Sequence, residues 1–247
     1  MFNYEEIAVS MLPRRVDKVL DFGCGNGLFC KALKKRAKKV YGCDLDVELL
    51  EKARKSVKGV SFEVAQSDGK TQYKKDFFDC VYMMGVLEHV KDEKATLSEI
   101  WRVTKPGGSL CIYGINKGLF GFLDAGNIKF RFPRIHKFLY LALFGIEKYE
   151  KEFVRKSARG MQGDFTLGKK WHTHYSINDL NILLDGRFKI IRTFHFGLFV
   201  PFLLPLQFIF DIIFSKGSDV VKKLVRLDQK ISNPRLSYLF IVQCQKC

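Results

Sequence analysis

Short apolar runs alternate with amphipathic segments as far as residue 115 of the chain. The runs are rich in β-branched and aromatic residues, which is typical of buried strands, whereas the segments between them repeat apolar positions at helical spacing. The predicted strands are residues 16–22, 40–44, 60–65, 77–84 and 110–114, and the predicted helices are 26–37, the segment capped by Asp46, and 91–104. Strands that alternate with helices form βαβ units, so we expect a parallel sheet with helices on both faces.

A further helix and two further strands are predicted nearer the end of the chain. Ser176 and Asp179 have the spacing of a capping box, so a helix is expected to begin there. The apolar runs at 188–194 and 238–244 predict strands, and the second can pair with the first. With the five earlier strands they complete a single domain over residues 1–247.

Two insertions interrupt the alternation of strands and helices. Residues 116–170 are long for a connection without structure of its own, and they are predicted to form a partly helical substrate lid. Residues 198–235 begin with an apolar stretch, 198–214, that prolines interrupt, so it is too short and too broken for a bilayer span. The residues after that stretch are basic and amphipathic. The second insertion is therefore predicted as a helical cap on the sheet or as a hydrophobic and basic segment that contacts substrate or membrane.

A triple-glycine turn follows the first predicted strand. Asp21 and Phe22 end that strand, and Gly23, Gly25 and Gly27 come next. Glycine adopts backbone conformations that a Cβ forbids, and it lets the main chain pass close to a ligand. The start of the next helix offers N–H groups, so the turn indicates either a nucleotide-like ligand or only a tight connection between strand and helix.

The chain is basic and contains many hydrophobic residues. It has 42 Lys and Arg against 26 Asp and Glu, which gives a net charge of +16. An excess of this size favours an anionic partner such as nucleic acid, an anionic membrane or a phosphorylated substrate, unless it only reflects a lysine-rich proteome. The 7 cysteines are an odd number spread over strand-like segments, which is typical of reduced thiols in a cytosolic protein. Cys244 and Cys247 have the C-x-x-C spacing without a second pair, so no metal site is expected, and the first residues have no features of a signal peptide.

The order of the acidic and glycine motifs resembles that of the class I S-adenosylmethionine-dependent methyltransferases of the small-molecule, ubiquinone-biosynthesis-like type. The matching pieces, in chain order, are Val19–Gly27, Asp44, Ser67–Asp68, Phe78–Asp79, Val86–Val90 and Arg102–Gly108. Each piece is common by itself, but their joint order and spacing are those of this family. The resemblance covers residues 16–115 closely, and 172–195 and 238–244 more loosely. It implies a Rossmann-like three-layer α/β sandwich, with a seven-stranded and mostly parallel sheet, an antiparallel last strand and two largely helical insertions.

The resemblance implies S-adenosylmethionine as cofactor. Asp21 and the glycine turn would hold its methionine moiety, and Asp44 would accept hydrogen bonds from both ribose hydroxyls. Asp68 would accept from the adenine amino group, and Met84 and Gly85 would form the floor of the site. The implied cofactor-binding residues are Asp21, Gly23, Cys24, Gly25, Gly27, Asp44, Leu45, Ser67, Asp68, Met84 and Gly85.

The histidines are the candidate catalytic residues. A sulfonium methyl donor is already activated, so the enzyme must align the acceptor and remove a proton when the acceptor is a hydroxyl. His89 follows the fourth strand, and His172 and His174 lie just ahead of the capping box, where this family often places residues that face the substrate. Each of these roles has a structural alternative, in which the histidine only holds the surrounding loops together.

The first insertion indicates the class of acceptor. Its phenylalanines, including Phe132 and Phe138, alternate with Arg131, Arg134 and Lys137, which favours a lipid-like or lipid-linked small molecule with an anionic head group. The expected reaction is methyl transfer to an oxygen, in a protein that is cytoplasmic or peripheral on an anionic membrane. The alternatives are an RNA methyltransferase, a nicotinamide-dependent oxidoreductase, and a non-catalytic cofactor-binding subunit that tethers a partner to membrane. The chain has no Asn-Pro-Pro-Tyr-like tetrapeptide and no recognisable RNA-binding appendage, so nucleic acid is the less favoured partner.

Overall fold

The structure is a computed structural model that describes residues 4–12, 16–66, 68–124, 127, 131–150, 172–203, 219–228 and 230–247. Its strands are β1 (Val16–Phe22), β2 (Ala37–Asp44), β3 (Val60–Val64), β4 (Phe78–Met84), β5 (Thr104–Ile115), β6 (Phe188–Phe196) and β7 (Leu239–Lys246). Its helices are α1 (Tyr4–Ser10), α2 (Leu28–Leu33), α3 (Val47–Ser56), α4 (Glu93–Val103), α5 (Pro133–Tyr149), α6 (Ile177–Leu184) and α7 (Asp219–Asp228). Short 3-10 helices lie at Leu87–His89 and Gly121–Leu123.

The seven strands form one sheet in the order β3-β2-β1-β4-β5-β7-β6. Neighbours from β3 to β5 are parallel, and β7 runs antiparallel to both β5 and β6. The predicted α/β sandwich with an antiparallel last strand is therefore confirmed, and β7 lies between β5 and β6. The chain order reverses between β1 and β4, which is where open parallel sheets bind their ligands.

Two hydrophobic clusters cover the two faces of the sheet. Successive strand residues point to opposite faces, so Leu20 belongs to one cluster and Val19 to the other. Likewise Met83 packs in the cluster that contains Ile100 of α4, and Tyr82 packs in the opposite one. The central strands are buried on both faces, so β4 and β7 read as nearly continuous apolar runs in the sequence, whereas the edge strands β3 and β6 are more exposed.

The first predicted helix and the fifth predicted strand differ most from the sequence-based expectation, and one helix was not predicted. The first helix was expected over 26–37 but ends at Leu33, and Ala37 already belongs to β2. Strand β5 begins at Thr104 instead of residue 110, and its pairing with β4 is irregular between Phe78 and Cys80. Helix α1 was not predicted at all. The basic residues after Leu33 and the Pro-Gly-Gly segment of β5 carry no apolar periodicity, so the pattern could not locate these edges.

Both insertions contain helix in the part of the chain that the structure describes. Helix α5 lies in the first insertion, with a break at Gly145 where φ is 80°, and α7 lies in the second. Most of the apolar stretch 198–214 lies outside the described residues. Within the described residues, no helix is both long and apolar enough to cross a bilayer.

Candidate active site

A cavity of about 350 Å³ lies at the carboxyl ends of β1, β2 and β4, where the strand order reverses. Its volume falls in the range of small-molecule and cofactor sites. The residues that line it are Phe22, Gly23, Asp44, Leu45, Ala65, Gln66, Asp68, Gly69, Gly85, Val86, His89, Val90, Lys91, Asp92, Ala95 and Thr96. A mainly apolar wall with few polar groups is suited to a planar heterocycle that is oriented by a small number of hydrogen bonds.

The glycine turn forms one end of this cavity. Gly23, Gly25 and Gly27 have φ values of 76°, 51° and 78°, in the left-handed region that side chains disfavour. A Cβ at Gly27 would lie 3.0 Å from Phe62, whereas the nearest atom to a Cβ at Gly25 would be 4.0 Å away. Gly25 is therefore required by backbone conformation and Gly27 also by packing. Of the three, only Gly23 is among the lining residues.

Asp44 is a buried carboxylate at the end of β2. Its Oδ2 accepts from the Gly25 N–H at 2.7 Å, and its Oδ1 accepts from the Asp46 N–H at 2.9 Å. Burial raises the pKa of Asp44, and the two backbone donors lower it in part. Each carboxylate oxygen has a second lone pair, so Asp44 can still accept two hydroxyl groups from the cavity side.

Asp21 lies deeper than Asp44 and has different surroundings. It is 1% exposed, and its Oδ2 accepts from the Cys30 thiol at 3.2 Å. Burial raises the pKa of Asp21 to about 7, against the opposing effect of the Cys30 hydrogen bond. Asp21 is not among the lining residues, so its predicted contact with the methionine ammonium stays a prediction.

The other predicted cofactor residues are divided between the cavity wall and other positions. Leu45, Asp68 and Gly85 line the cavity. Asp68 is also a turn residue, because its side chain accepts from the Lys70 N–H at 3.0 Å and pairs with the Lys70 ammonium at 3.0 Å. Met84 instead packs beside the cluster that contains Tyr82, and neither it nor the buried Cys24 is among the lining residues. Ser67 lies outside the described residues.

The three predicted catalytic histidines are brought together beside the cavity. His89 lines the cavity, and the centroid of its ring lies 4.3 Å from that of His172, with the ring planes at 88°. His172 Nδ1 and His174 Nε2 lie 2.8 Å and 3.1 Å from the same oxygen, Oδ2 of Asp124. His89 and His172 are far apart in the sequence, and the tertiary fold brings their rings into contact.

Contacts to the loop after β4 hold the histidine segment in place. The Thr173 N–H donates to the Glu88 carbonyl at 3.3 Å, and the Tyr175 hydroxyl donates to the Leu87 carbonyl at 3.1 Å. Tyr175 also forms a parallel bridge with Asn116 at the end of β5. These contacts fix the main chain on both sides of His174 against the cavity wall.

Sequence reasoning missed three polar residues of this cluster. Asp124 is 4% exposed, and Glu88 is 6% exposed with a pKa that burial raises. Asn127 binds the main chain of His172 at both of its polar groups, accepting from its N–H at 2.9 Å and donating to its carbonyl at 3.2 Å. Asp124 and Asn127 belong to no local motif, and Glu88 lies within the matching piece Val86–Val90 without a role having been predicted for it. The burial of all three distinguishes them, and burial is not visible in the sequence. Among the described residues, no three acidic, histidine or cysteine side chains are arranged to hold a metal ion.

Comparison with known proteins shows the family to which the chain belongs. The family described as "Methyltransferase domain" matches residues 20–112. A relative named "Ubiquinone biosynthesis O-methyltransferase" from Pseudomonas fluorescens (strain SBW25) is 30% identical over 167 residues, which are 62% of this chain and 67% of the relative. One of the same name from Methylococcus capsulatus is 32% identical over 112 residues, 44% of this chain and 47% of the relative. The chain thus spans between about half and two thirds of the curated relatives it matches.

Solved structures agree on the fold. An S-adenosylmethionine-dependent methyltransferase from Mesorhizobium loti has a TM-score of 0.55 and 22% identity, over 98% of this chain and 97% of that one. At this identity the likeness shows the fold alone. The sequence family and the fold together give S-adenosylmethionine as the cofactor.

The described residues fit that cofactor. Asp44 can accept a pair of hydroxyls, the apolar walls suit an adenine ring, and the exposed Asp68 carboxylate is at the same cavity. When bound, S-adenosylmethionine supplies an activated methyl group on a sulfonium sulfur. Residues of the protein must then bind the acceptor and, for a hydroxyl acceptor, remove its proton.

Proposed function

Because this chain belongs to the class I S-adenosylmethionine-dependent methyltransferases, we propose that it transfers a methyl group to an oxygen of a hydrophobic, lipid-like or lipid-linked small molecule. The curated relatives are named for O-methylation in ubiquinone biosynthesis, which supports oxygen as the acceptor atom. An exposed apolar surface on helix α5 supports a hydrophobic acceptor.

Helix α5 carries the proposal, because it presents an apolar stripe to the surface. None of its residues is buried. Ile135, Phe138, Leu139 and Leu143 recur at helical spacing ahead of the break at Gly145 and are between 50% and 72% exposed. A continuous exposed stripe of this kind marks a surface that binds an apolar partner.

The charges around the stripe indicate the nature of that partner. Arg131, Arg134 and Lys137 are exposed beside it, in a chain with a net charge of +16. A basic and apolar helix is the usual means of binding an anionic lipid surface. We therefore assign an anionic membrane as the surface from which the acceptor is taken.

Proton removal is assigned to the histidine cluster beside the cavity. A phenolic hydroxyl has a pKa of about 10. An imidazole that is held at hydrogen-bonding distance can remove a proton from a hydroxyl of this acidity. His89, His172 and His174 are the candidates, and phenols or enols are the hydroxyl classes that such a base can serve.

The acceptor class is tested with methyl-labelled S-adenosylmethionine and a series of 4-alkylcatechols of increasing chain length. We expect O-methyl products, identified by mass spectrometry, and a kcat/KM that rises with chain length, because each buried methylene contributes about 0.8 kcal/mol. Label transfer to RNA, or only to unsubstituted catechol, would contradict the proposal.

The membrane surface is tested by co-sedimentation with vesicles of phosphatidylglycerol and phosphatidylcholine. Phe138 and Ile182 are both 72% exposed, but only Phe138 lies on α5. Phe138→Ser should therefore reduce the bound fraction, whereas Ile182→Ser should not. Equal binding by both variants, or equal binding to pure phosphatidylcholine vesicles, would refute the assignment.

A further inference from the structure

Asp124 lies at the centre of the histidine cluster, although no sequence motif contains it. Its Oδ2 lies 2.8 Å from His172 Nδ1 and 3.1 Å from His174 Nε2, and its side chain is 6% exposed. We infer that Asp124 is a positioning residue that holds His172 as the general base, and that His174 is a second hydrogen-bond donor to Asp124 instead of a base. The role in catalysis rests on the proposed function, whereas the hydrogen-bond pattern can be tested without it.

The protonation of each ring follows from the carboxylate. An ionised carboxylate is an acceptor only, so both of the ring nitrogens that face Asp124 carry a proton. His172 is then the Nδ1–H tautomer, with its lone pair on Nε2. The Asn127 amide nitrogen also lies 3.4 Å from His174 Nε2, but it donates to the His172 carbonyl at 3.2 Å, and Asp124 is the nearer partner of His174 at 3.1 Å. His174 is therefore assigned the Nε2–H tautomer, with its lone pair on Nδ1. A buried carboxylate is stable when donors of this kind satisfy it.

The surroundings of the two rings separate their roles. The ring of His172 packs edge-to-face on His89, which lines the cavity. The Nδ1 of His174 instead lies beside Gly121, where an added Cβ would come within 3.3 Å of it. The basic nitrogen of His174 therefore faces a turn of the protein. Neither His172 nor His174 lines the cavity itself, but His172 is the ring that packs directly against the lining residue His89.

Other titratable groups surround Asp124 and the two histidines and contribute to the electrostatics of the cluster. Glu88 is affected electrostatically by His89 and His172, which lower its pKa, and by Asp124, which raises it, although burial has the largest effect. Burial raises the pKa of Tyr238 to above its usual range, and the charges of Asp124 and Glu88 act in the same direction. Asp124 is thus the carboxylate that pairs directly with the imidazole, and it stabilises the imidazolium that forms when the base takes a proton.

The acceptor hydroxyl gives its proton to His172 Nε2, its oxygen lone pair forms the bond to the methyl carbon, and the carbon–sulfur bond breaks with its electrons remaining on sulfur. The imidazolium returns its proton to solvent after the products, the methyl ether and S-adenosylhomocysteine, have left.

The first test is the tautomer of His172 in the intact protein, read by long-range ¹H–¹⁵N NMR and assigned with His172→Gln. We expect Nδ1–H for His172 and Nε2–H for His174 in the wild type at a pH where both rings are neutral. Asp124→Asn should shift the His172 tautomer population and lower its pKa, since a carboxylate next to an imidazole favours the charged form. Observation of Nε2–H for His172 in the wild type would overturn the inference, whether or not any acceptor is found.

The second test is the kinetics with the long-chain 4-alkylcatechol. We expect kcat to fall by about 10² to 10⁴ for His172→Gln, by about 10 to 10³ for Asp124→Asn, and by less than about fivefold for His174→Gln. Asp124→Asn should also move the acidic limb of the kcat/KM profile to lower pH, which a purely structural role would not do. Asp124→Glu should recover part of the rate, and the exposed control Asp17→Asn should retain all of it.

The outcomes distinguish the two proposals. Unchanged affinity for S-adenosylhomocysteine shows that each variant is folded. If the wild type methylates no catechol, the proposed function fails, while the NMR result still decides the role of Asp124. If the wild type is active and His174→Gln loses more activity than His172→Gln, the assignment of the base is wrong.

Discussion

Asp21 gives the sharpest prediction about stability, because it is a nearly inaccessible carboxyl inside the sheet. Its pKa is raised from 3.8 to about 7, and burial is the largest cause. A shift of this size corresponds to about 4 kcal/mol of preference for the protonated form. The folded state therefore binds a proton between pH 4 and 7 that the unfolded state releases.

The sign of the pH dependence follows from linkage. A carboxyl whose folded pKa is raised stabilises the fold fully below its unfolded pKa, and that stability is lost as the pH rises through the folded pKa. Asp21 should thus lower the free energy of unfolding by about 1.4 kcal/mol for each pH unit between about 4 and 7, and by nothing further above pH 8. Asp21→Asn removes this titration and keeps the shape and an acceptor for the Cys30 thiol.

The assay is urea unfolding of the wild type and Asp21→Asn at pH 5, 6, 7 and 8. The variant should be the more stable protein at pH 8, by up to about 4 kcal/mol, and the difference should shrink towards pH 5. Asp17→Asn is the matched control, because Lys38 keeps the pKa of Asp17 below its ordinary value and the group stays ionised over this range. Parallel curves for wild type and Asp21→Asn would refute the reasoning.

Two further predictions concern single hydrogen-bonding groups. Asp44→Ala should weaken S-adenosylhomocysteine binding by at least about tenfold in isothermal titration, since hydrogen bonds to a charged group contribute about 1.5–3 kcal/mol each; binding equal to that of Asp17→Asn would remove Asp44 from the cofactor site. Tyr82→Phe should lower the free energy of unfolding by about 1 kcal/mol, because the buried hydroxyl donates to the Ala8 carbonyl at 2.8 Å and holds α1 on the sheet; an unchanged urea midpoint would contradict this.

Much of the fold was predictable because the central strands of the sheet are buried on both sides. Strands β1 and β4 lie within one residue of their predicted bounds, and helix α6 begins directly after the capping box at Ser176. Both signals are local: apolar runs for buried strands, and paired side chains for a helix start. Helix α1 was missed because its core contact, the hydrogen bond from Tyr82 to Ala8, spans 74 residues and leaves no local periodicity.

The residues of the candidate active site also differ in whether a local sequence signal or only the folded structure determines their position. Gly23 and Asp44 each stand at the end of a strand, and both line the cavity. Their contacts with the cofactor stay a prediction. Met84 is at the end of a strand too, but the alternation of the sheet turns it to the opposite face from Met83. A motif therefore places a residue along the chain correctly, and the pleat of the strand decides whether its side chain reaches the cavity.

The pairing of Asp124 with the two histidines depends on contacts that no motif encodes. Asp124 meets His172 and His174 across 48 and 50 residues of chain, and the family match ends at residue 112, before all three. The residues matched by the family thus include Asp44 and most of the cavity wall, while Asp124 and its two histidine partners lie in and after the first insertion. Under the proposed function, substitutions at Asp124 should therefore alter turnover while leaving S-adenosylhomocysteine affinity intact, and substitutions at Asp44 should weaken that affinity first.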